Sequence, residues 1–229
     1  MTLVRTMFRA PLAAVAGAFL LYGCASSSSS KEPAEPVMSP LAGMIGRQML
    51  VLPTQYLSIA NAAGGWDIVP SGPPLLSILD EEITDQFVKR GVKRNWTFAR
   101  EITESANRNG GLAGDPRELG AQGIRRVKAG DTPLPEPLAS QIRTLVALTS
   151  ARFAVLPLEV HVDTRGGERK ASLRILLVDA RTSRVAWVGD IEAAPQRDPQ
   201  TVADALSPYG FRLAAREMAT KFADMVVAQ

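Results

Sequence analysis

The strongest constraint on the fold is a change in the spacing of apolar residues after position 152. From there to position 193, apolar residues recur at every second position in three runs, which are separated by RGGE and RTSR. A period of two is typical of β-strands, and short polar connections join antiparallel neighbours. The sequence therefore predicts a three-strand antiparallel meander.

The alternation also predicts which meander side chains share a face. The first strand should present Ala154, Leu156, Leu158, Val160 and Val162 on one face, the second Ala171, Leu173, Ile175 and Leu177, and the third Val185, Trp187 and Ile191. The opposite face of the first strand ends in polar residues, namely Glu159, His161 and Asp163. Because Trp187 follows the apolar pattern, we expect it to pack in the core.

The residues before the meander follow a helical period of 3.6 instead. Leu76, Leu79, Ile83 and Phe87 predict a helix that ends before Gly91. Further helices are predicted over REITESANRNG, from Asp115 as N-cap, over LASQIRTLVALTSAR, and at the C-terminus, where Pro208 interrupts or starts a longer piece. QMLVLPT and NWTFA predict strands, and the Gly and Pro clusters of residues 55–74 predict a long loop. This order indicates an α/β (α+β) fold: a single mixed sheet that includes the meander, with helices packed on its apolar face.

The N-terminus has the pattern of a secretory signal. Arg5 and Arg9 precede an apolar stretch, Ala10–Tyr22. That stretch is about 13 residues, against roughly 20 needed to cross a bilayer, so a signal peptide fits better than a transmembrane helix. An uncleaved hydrophobic anchor is the alternative.

The end of this segment resembles a bacterial lipoprotein signal. Leu21, Gly23 and Cys24 match its lipobox, and Cys24 is the single cysteine of the chain. The resemblance implies cleavage between Gly23 and Cys24, after which Cys24 carries a thioether-linked diacylglycerol and an amide-linked acyl chain. It also implies an outer-membrane location facing the periplasm, because Ala25 stands where an aspartate tends to retain lipoproteins in the inner membrane.

The sequence thus divides into three parts. Residues 1–23 are the expected signal peptide, 24–45 the lipidated cysteine with a linker rich in Ser and Pro, and 46–229 the periplasmic α/β domain. Without Arg5 and Arg9 the chain has 24 basic and 23 acidic residues (26 minus 2 against 23), a net charge of +1. That balance does not suggest nucleic-acid binding, which needs a concentrated basic face.

Three short motifs resemble the periplasmic domain shared by the curli-secretion lipoprotein family and the amino-terminal domain of TolB. They are VLP at 51–53, EEITDQFVKRG at 81–91 and LLVDARTSRVAWVG at 176–189. The resemblance spans roughly residues 48–226 and implies the fold more than a function. The sequence departs from these families because it has neither room for two long membrane hairpins nor a propeller domain.

Residues that carry chemistry are sparse. His161 and Asp163 predict neighbouring side chains on one strand face, as a catalytic pair or as surface residues, but no nucleophile motif accompanies them. The acidic run DEEITD at 80–85 is typical of a solvated helix face or, less often, a cation site. The basic cluster GIRRVKAG at 123–130 suggests a solvated helix end, or a contact with lipid headgroups or an acidic partner. Neither a metal site nor a cofactor is expected.

Trp66 is the candidate for a partner interface, because an aromatic residue in a Gly-rich segment often anchors an interface. The sequence therefore predicts a non-enzymatic outer-membrane lipoprotein that binds an unidentified protein in envelope biogenesis or secretion. The alternative is an oligomeric structural or channel component of a curli-type secretion system, which would make the chain a homo-oligomer.

Overall fold

The computed structural model of the protein describes residues 40–70, 72–128 and 131–228. In these ranges the chain forms a mixed sheet of eight strands and five helices, one of them only five residues long. The strands are β1 (Met49–Val51), β2 (Tyr56–Ala60), β3 (Trp66–Ile68), β4 (Trp96–Thr97), β5 (Thr132–Pro133), β6 (Phe153–Asp163), β7 (Lys170–Asp179) and β8 (Arg184–Glu192). The helices are α1 (Pro73–Lys89), α2 (Ala99–Arg108), α3 (Leu138–Thr149), α4 (Pro199–Ala203) and α5 (Pro208–Val227).

The longest strand, β6, lies inside the sheet, whose main order is β3-β2-β6-β7-β8-β5. β1 pairs in parallel with the first residues of β6, and β2 pairs in parallel with its last ones, so two short strands share one flank. β4 pairs in parallel with β1, and β3 pairs antiparallel with β2. On the other flank β7 and β8 complete an antiparallel meander, which confirms that prediction.

Helices cover both faces of the sheet. α1 and α5 pack on one face, where the rings of Phe87 and Phe222 meet edge to face at 4.9 Å between centroids. α2 and α3 pack on the opposite face, where Ile102 and Ile142 are buried. Because strands between two helix layers need apolar residues on both faces, β6 and β7 contain almost continuous apolar runs. The predicted fold class is confirmed.

A β-bulge in β6 breaks the predicted alternation. The register between β6 and β7 shifts between Pro157 and Glu159. Before the shift the even-numbered residues Ala154, Leu156 and Leu158 pack towards α2 and α3, whereas after it Val160 and Val162 pack towards α1 and α5. The prediction that all five share one face is wrong, because the inserted residue reverses the phase of the strand.

A second register shift acts in the same way on β8. It lies between Leu177 and Val178 of β7. As a result Val185 packs towards α2 and α3, while Ile191 and the partly buried Trp187 pack towards α1 and α5. The core position of Trp187 is confirmed, but its predicted shared face with Val185 is wrong.

The predicted boundaries of the two longest helices hold. Gly91 follows α1 with φ 74°, a left-handed conformation that glycine adopts without strain. Pro208 starts α5 at its first turn, and the Ser207 side chain caps the helix by accepting a hydrogen bond from the Gly210 amide at 3.1 Å.

Two predictions before the meander are wrong. The predicted loop 55–74 contains the β2–β3 hairpin, because pairing with β6 and the turn at Asn61–Gly65 outweigh the local Gly and Pro content. The helix predicted from Asp115 is absent from the described residues: its carboxylate accepts the Arg117 amide in a local turn, and the chain continues irregularly to a single 3-10 turn, Gln122–Ile124. Gly120 and Gly123 disfavour a helix there.

The described part of the chain begins just before Leu41, which is fully buried in the core beside α1 and α5. Gly23 and Cys24 lie outside the described residues. Among the helices that are described, none combines the length and the hydropathy needed to cross a membrane.

Candidate functional site

The bulge in β6 places a row of polar side chains on the face that α2 and α3 cover elsewhere. The apolar core under these helices ends at Leu158, and the same face continues with Glu159, His161 and Asp163. The strand register aligns His161 with Ser58 of β2 and Ser172 of β7. We call this surface the polar face. It extends through Ile68 of β3 and Glu192 of β8, which pair with Ser58 and Ser172 respectively.

Glu159 is the centre of the polar face and is almost fully buried. Its carboxylate accepts hydrogen bonds from the Ser58 hydroxyl at 2.5 Å and from Arg125 Nε at 2.7 Å. A second Arg125 nitrogen also donates to it, and His161 Nε2 lies 3.2 Å away. The Arg125 guanidinium in turn lies over the Tyr56 ring, 5.4 Å from its centroid. Arg125 thereby holds the irregular segment after α2 against the sheet.

The hydrogen bonds determine the charge state of Glu159. Burial disfavours the ionised carboxylate, but the donors His161, Arg125 and Ser58 outweigh it and lower the pKa of Glu159 to about 2. Glu159 is therefore ionised throughout the physiological range. A buried carboxylate with this many donors is a structural element rather than a general base, because a base must be able to take up a proton near neutral pH.

Trp66 lies on the polar face and stacks on His161. Their ring centroids are 4.5 Å apart and the ring planes are tilted by 36°. Trp66 remains 41% exposed, and Ile68, two residues further along β3 on the same side, is 39% exposed. Beside them lies a shallow pocket of about 250 Å³, which is lined by Trp66, His161, Asp163, Lys170, Ser172 and Glu192 among others. We call it the Trp66 pocket.

His161 and Asp163 share a face, as predicted, but they do not form a catalytic pair. The carboxylate next to His161 is that of Glu159. Asp163 instead binds the Arg165 guanidinium at 2.6 Å and the Arg165 amide at 2.9 Å, which lowers the pKa of Asp163 to about 2. The Ser58 hydroxyl donates to Glu159, so it is oriented towards a carboxylate and not towards the imidazole.

The acidic run at 80–85 is also divided among separate partners. Asp80 is buried and accepts hydrogen bonds from the amide and hydroxyl of Thr54 and from Arg117. Glu82 is also buried, and its carboxylate binds Arg212 and Arg216. The expectation of a solvated face is therefore wrong for Asp80 and Glu82. Nowhere in residues 40–70, 72–128 and 131–228 do three or more His, Cys, Asp or Glu side chains group as a metal site would require.

Sequence reasoning missed Arg125 and Ser58. Arg125 appeared only within the basic cluster at 123–130, for which a solvated helix end or a contact with lipid headgroups or an acidic partner was expected, yet it is the main ionic partner of Glu159. One signal was available: Glu159 interrupts the run VLPLEV, and a charge inside an apolar strand requires a buried partner of opposite charge. The sequence did not indicate which of the 26 basic residues supplies it.

The comparisons with known proteins give distant structural similarities. No family model matches the sequence, and no curated protein matches it. The LpoB C-terminal domain from Salmonella enterica aligns with 68% of this chain and 94% of its own, at 10% identity and a TM-score of 0.34. The PelC dodecamer from Paraburkholderia phytofirmans aligns with 81% of this chain and 91% of its own, at 11% identity and a TM-score of 0.34.

Lipoprotein GNA1162 from Neisseria meningitidis aligns with 72% of this chain and 95% of its own, at 14% identity and a TM-score of 0.33. Similarity at this level does not assign the chain to any of these proteins. The resemblance to the curli-secretion and TolB domains stays a prediction from the sequence motifs.

Proposed function

We propose that this protein is an outer-membrane lipoprotein, anchored by lipid on Cys24, whose periplasmic domain binds another envelope protein through the surface around Trp66. The lipobox residues Leu21, Gly23 and Cys24 support the anchor, and Ala25 supports the outer membrane. In this proposal the domain acts by binding and not by catalysis, in the assembly of the envelope or in secretion.

The observation that carries the binding role is the exposure of Trp66 while its backbone and ring are both held by neighbouring strands. Trp66 is held in a strand that pairs with β2, and its ring stacks on His161 from β6. Interface hot spots are enriched in tryptophan, because a large ring that is already ordered loses little conformational entropy on binding. Ile68 and the Trp66 pocket give the ring an apolar and concave neighbourhood.

Site-specific photo-crosslinking in the native host tests the binding role. A photo-reactive residue replaces Lys170, which lines the Trp66 pocket, and a control replaces Tyr209, an exposed residue of α5. We expect a discrete adduct from position 170 that the Trp66→Ala change reduces at least tenfold, since interface tryptophans often contribute more than 2 kcal/mol. An adduct that persists in the Trp66→Ala protein, or that forms equally from position 209, would contradict the proposal.

The anchor has a separate test. We expect the mature N-terminal peptide to begin at Cys24 and to carry the mass of a diacylglycerol and an acyl chain. Cys24→Ser should leave the protein unprocessed or release it from the outer-membrane fraction. An unmodified Cys24 in the native host would rule out the lipid anchor, because an acylated N-terminus is the attachment that the lipobox implies.

A further inference from the structure

Among the described strands, β3, which carries Trp66, lies at an edge of the sheet. The backbone N–H of Asn61 donates to the Gly65 carbonyl, and the backbone N–H of Val69 donates to the Leu57 carbonyl. These two bonds show which residue pairs of the β2–β3 ladder are hydrogen-bonded. Since such pairs alternate in an antiparallel ladder, Asp67 is bonded to β2, while the backbone N–H and C=O groups of Trp66 and Ile68 point outwards. Among the described residues, no hydrogen bond to these four outward groups is formed, and all of β3 is exposed.

We propose that the partner adds an extended segment as a further strand along β3. Unpaired backbone donors and acceptors at the spacing of a strand are complementary to one kind of ligand, a polypeptide in extended conformation. The side chains of Trp66 and Ile68 lie on the same side of β3, so they contact alternate residues of the added strand. This inference rests on the proposed binding role of the Trp66 surface and specifies how the partner binds.

The charges around β3 define the side chains of that segment. The Asp67 carboxylate projects from the opposite side of β3 and accepts a hydrogen bond from the Asn61 side chain at 2.9 Å. In the Trp66 pocket, Asp163 is paired with Arg165 and Lys170 with Glu168. Within the described chain, no basic side chain forms an ion pair with Asp67, so the one charge of β3 is negative and not neutralised.

The fitting segment therefore alternates apolar and basic residues. Apolar side chains lie opposite Trp66 and Ile68, and a lysine or arginine lies opposite Asp67, because directly opposed cross-strand pairs are the closest contacts of a ladder. The proposed occupant is a segment of another protein. Two other occupants must be rejected by the test, namely a second copy of the chain and the N-terminal part of the same chain.

The probe is a capped heptapeptide of alternating valine and lysine, added to the full-length lipidated protein in mild detergent. Hydrogen exchange followed by mass spectrometry should show slower exchange at the amides of Trp66 and Ile68, with that of Asp67 unchanged because β2 already protects it. We expect a glutamate version of the peptide, or one with a central proline, to bind at least tenfold more weakly. Equal binding of all three peptides, or none by the lysine peptide, would refute strand addition.

Two protein variants separate backbone pairing from side-chain contact. Ile68→Pro removes an outward N–H that the β2–β3 ladder does not use, so we expect about a tenfold loss of peptide affinity, while Ile68→Val stays within twofold of the wild type. Asp67→Lys is an independent test in case Ile68→Pro disturbs the hairpin. It reverses the charge that faces the basic residue of the peptide, so we expect a similar loss of peptide affinity. Retained affinity in both Ile68→Pro and Asp67→Lys would overturn the proposal.

The native crosslink distinguishes this inference from the binding role itself. If Trp66→Ala abolishes the adduct from position 170 and Ile68→Pro does not, the Trp66 surface binds a partner without strand addition. Slow exchange of the Ile68 amide before any peptide is added would mean that the chain itself occupies the edge. A self-associated form that Ile68→Pro dissociates in sedimentation would assign the edge to a second copy, and either result would overturn the inference.

Discussion

Replacing Glu159 with glutamine removes the charge that connects three elements of the polar face. Glutamine keeps an acceptor for Ser58 but resembles the protonated acid, so it loses the charge-assisted bonds to Arg125 and His161. The lowering of the Glu159 pKa from 4.5 to about 2 corresponds to about 3 kcal/mol of the free energy of unfolding at pH 7, as each pKa unit is worth about 1.4 kcal/mol. We therefore expect Glu159→Gln to lower the free energy of unfolding by about 3 kcal/mol at pH 7.

The pH dependence of this loss is the sharper part of the prediction. A carboxylate whose pKa is lowered by folding stabilises the protein above the unfolded pKa, and that contribution disappears as the pH falls through the folded pKa. The difference between the wild type and Glu159→Gln should shrink from about 3 kcal/mol at pH 7 to about 1.5 kcal/mol at pH 3.

Urea unfolding of the full-length protein in mild detergent, followed by tryptophan fluorescence, measures both values. Glu168→Gln is the matched control, because its carboxylate forms exposed ion pairs with Arg197 and Lys170 and should change stability little. A Glu159→Gln deficit that stays constant between pH 7 and pH 3 would refute the assigned role of the ionised carboxylate, even if the variant is less stable.

Three further changes test other parts of the structure. Burial raises the pKa of Asp80 from 3.8 to about 6, so its effect on stability has the opposite sign to that of Glu159. Acidification from pH 7.5 to pH 4 should stabilise the wild type by about 2 kcal/mol relative to Asp80→Asn. Parallel curves of unfolding free energy against pH for the two proteins would contradict this. Phe222→Ala should cost about 3–5 kcal/mol in urea unfolding, because its ring packs fully buried against Phe87, whereas Tyr209→Ala at an exposed position of α5 should cost far less. A Cβ at Gly210 would overlap the Asp204 carbonyl oxygen, so Gly210→Ala should lower the melting temperature by several degrees. Gly111→Ala is its control, because nothing lies within 4 Å of a Cβ there, and equal melting temperatures would count against the packing described at Gly210.

The elements with a regular period were predictable from the sequence. The helical spacing around Leu79 and Phe87, the start of α5 at Pro208 and the three meander strands all depend on local patterns that the fold preserves. Trp187 was correctly placed against the core because it keeps the alternation with Ile191, on the same side of the register shift.

The candidate site was less predictable, since it depends on pairings between distant segments. The bulge after Pro157 reverses the face of every later residue in β6, and local spacing does not reveal a register shift. The β2–β3 hairpin forms by pairing with β6, about 100 residues away, so its Gly and Pro content suggested a loop. The segment of Arg125 has no regular structure, and its contact with Glu159 follows from the tertiary fold.

The bulge also separates two kinds of mutational tolerance along one strand. The side chains of β6 before Pro157 pack alternately into the two cores, so a substitution at any of them disturbs one core or the other. After Pro157, Asp163 is only partly buried and pairs with the exposed Arg165, while Val160 and Val162 keep the strand packed. Evolution or protein engineering can therefore alter recognition at position 163 without repacking the interior, whereas a change at His161 also removes a donor to Glu159 and the ring that supports Trp66.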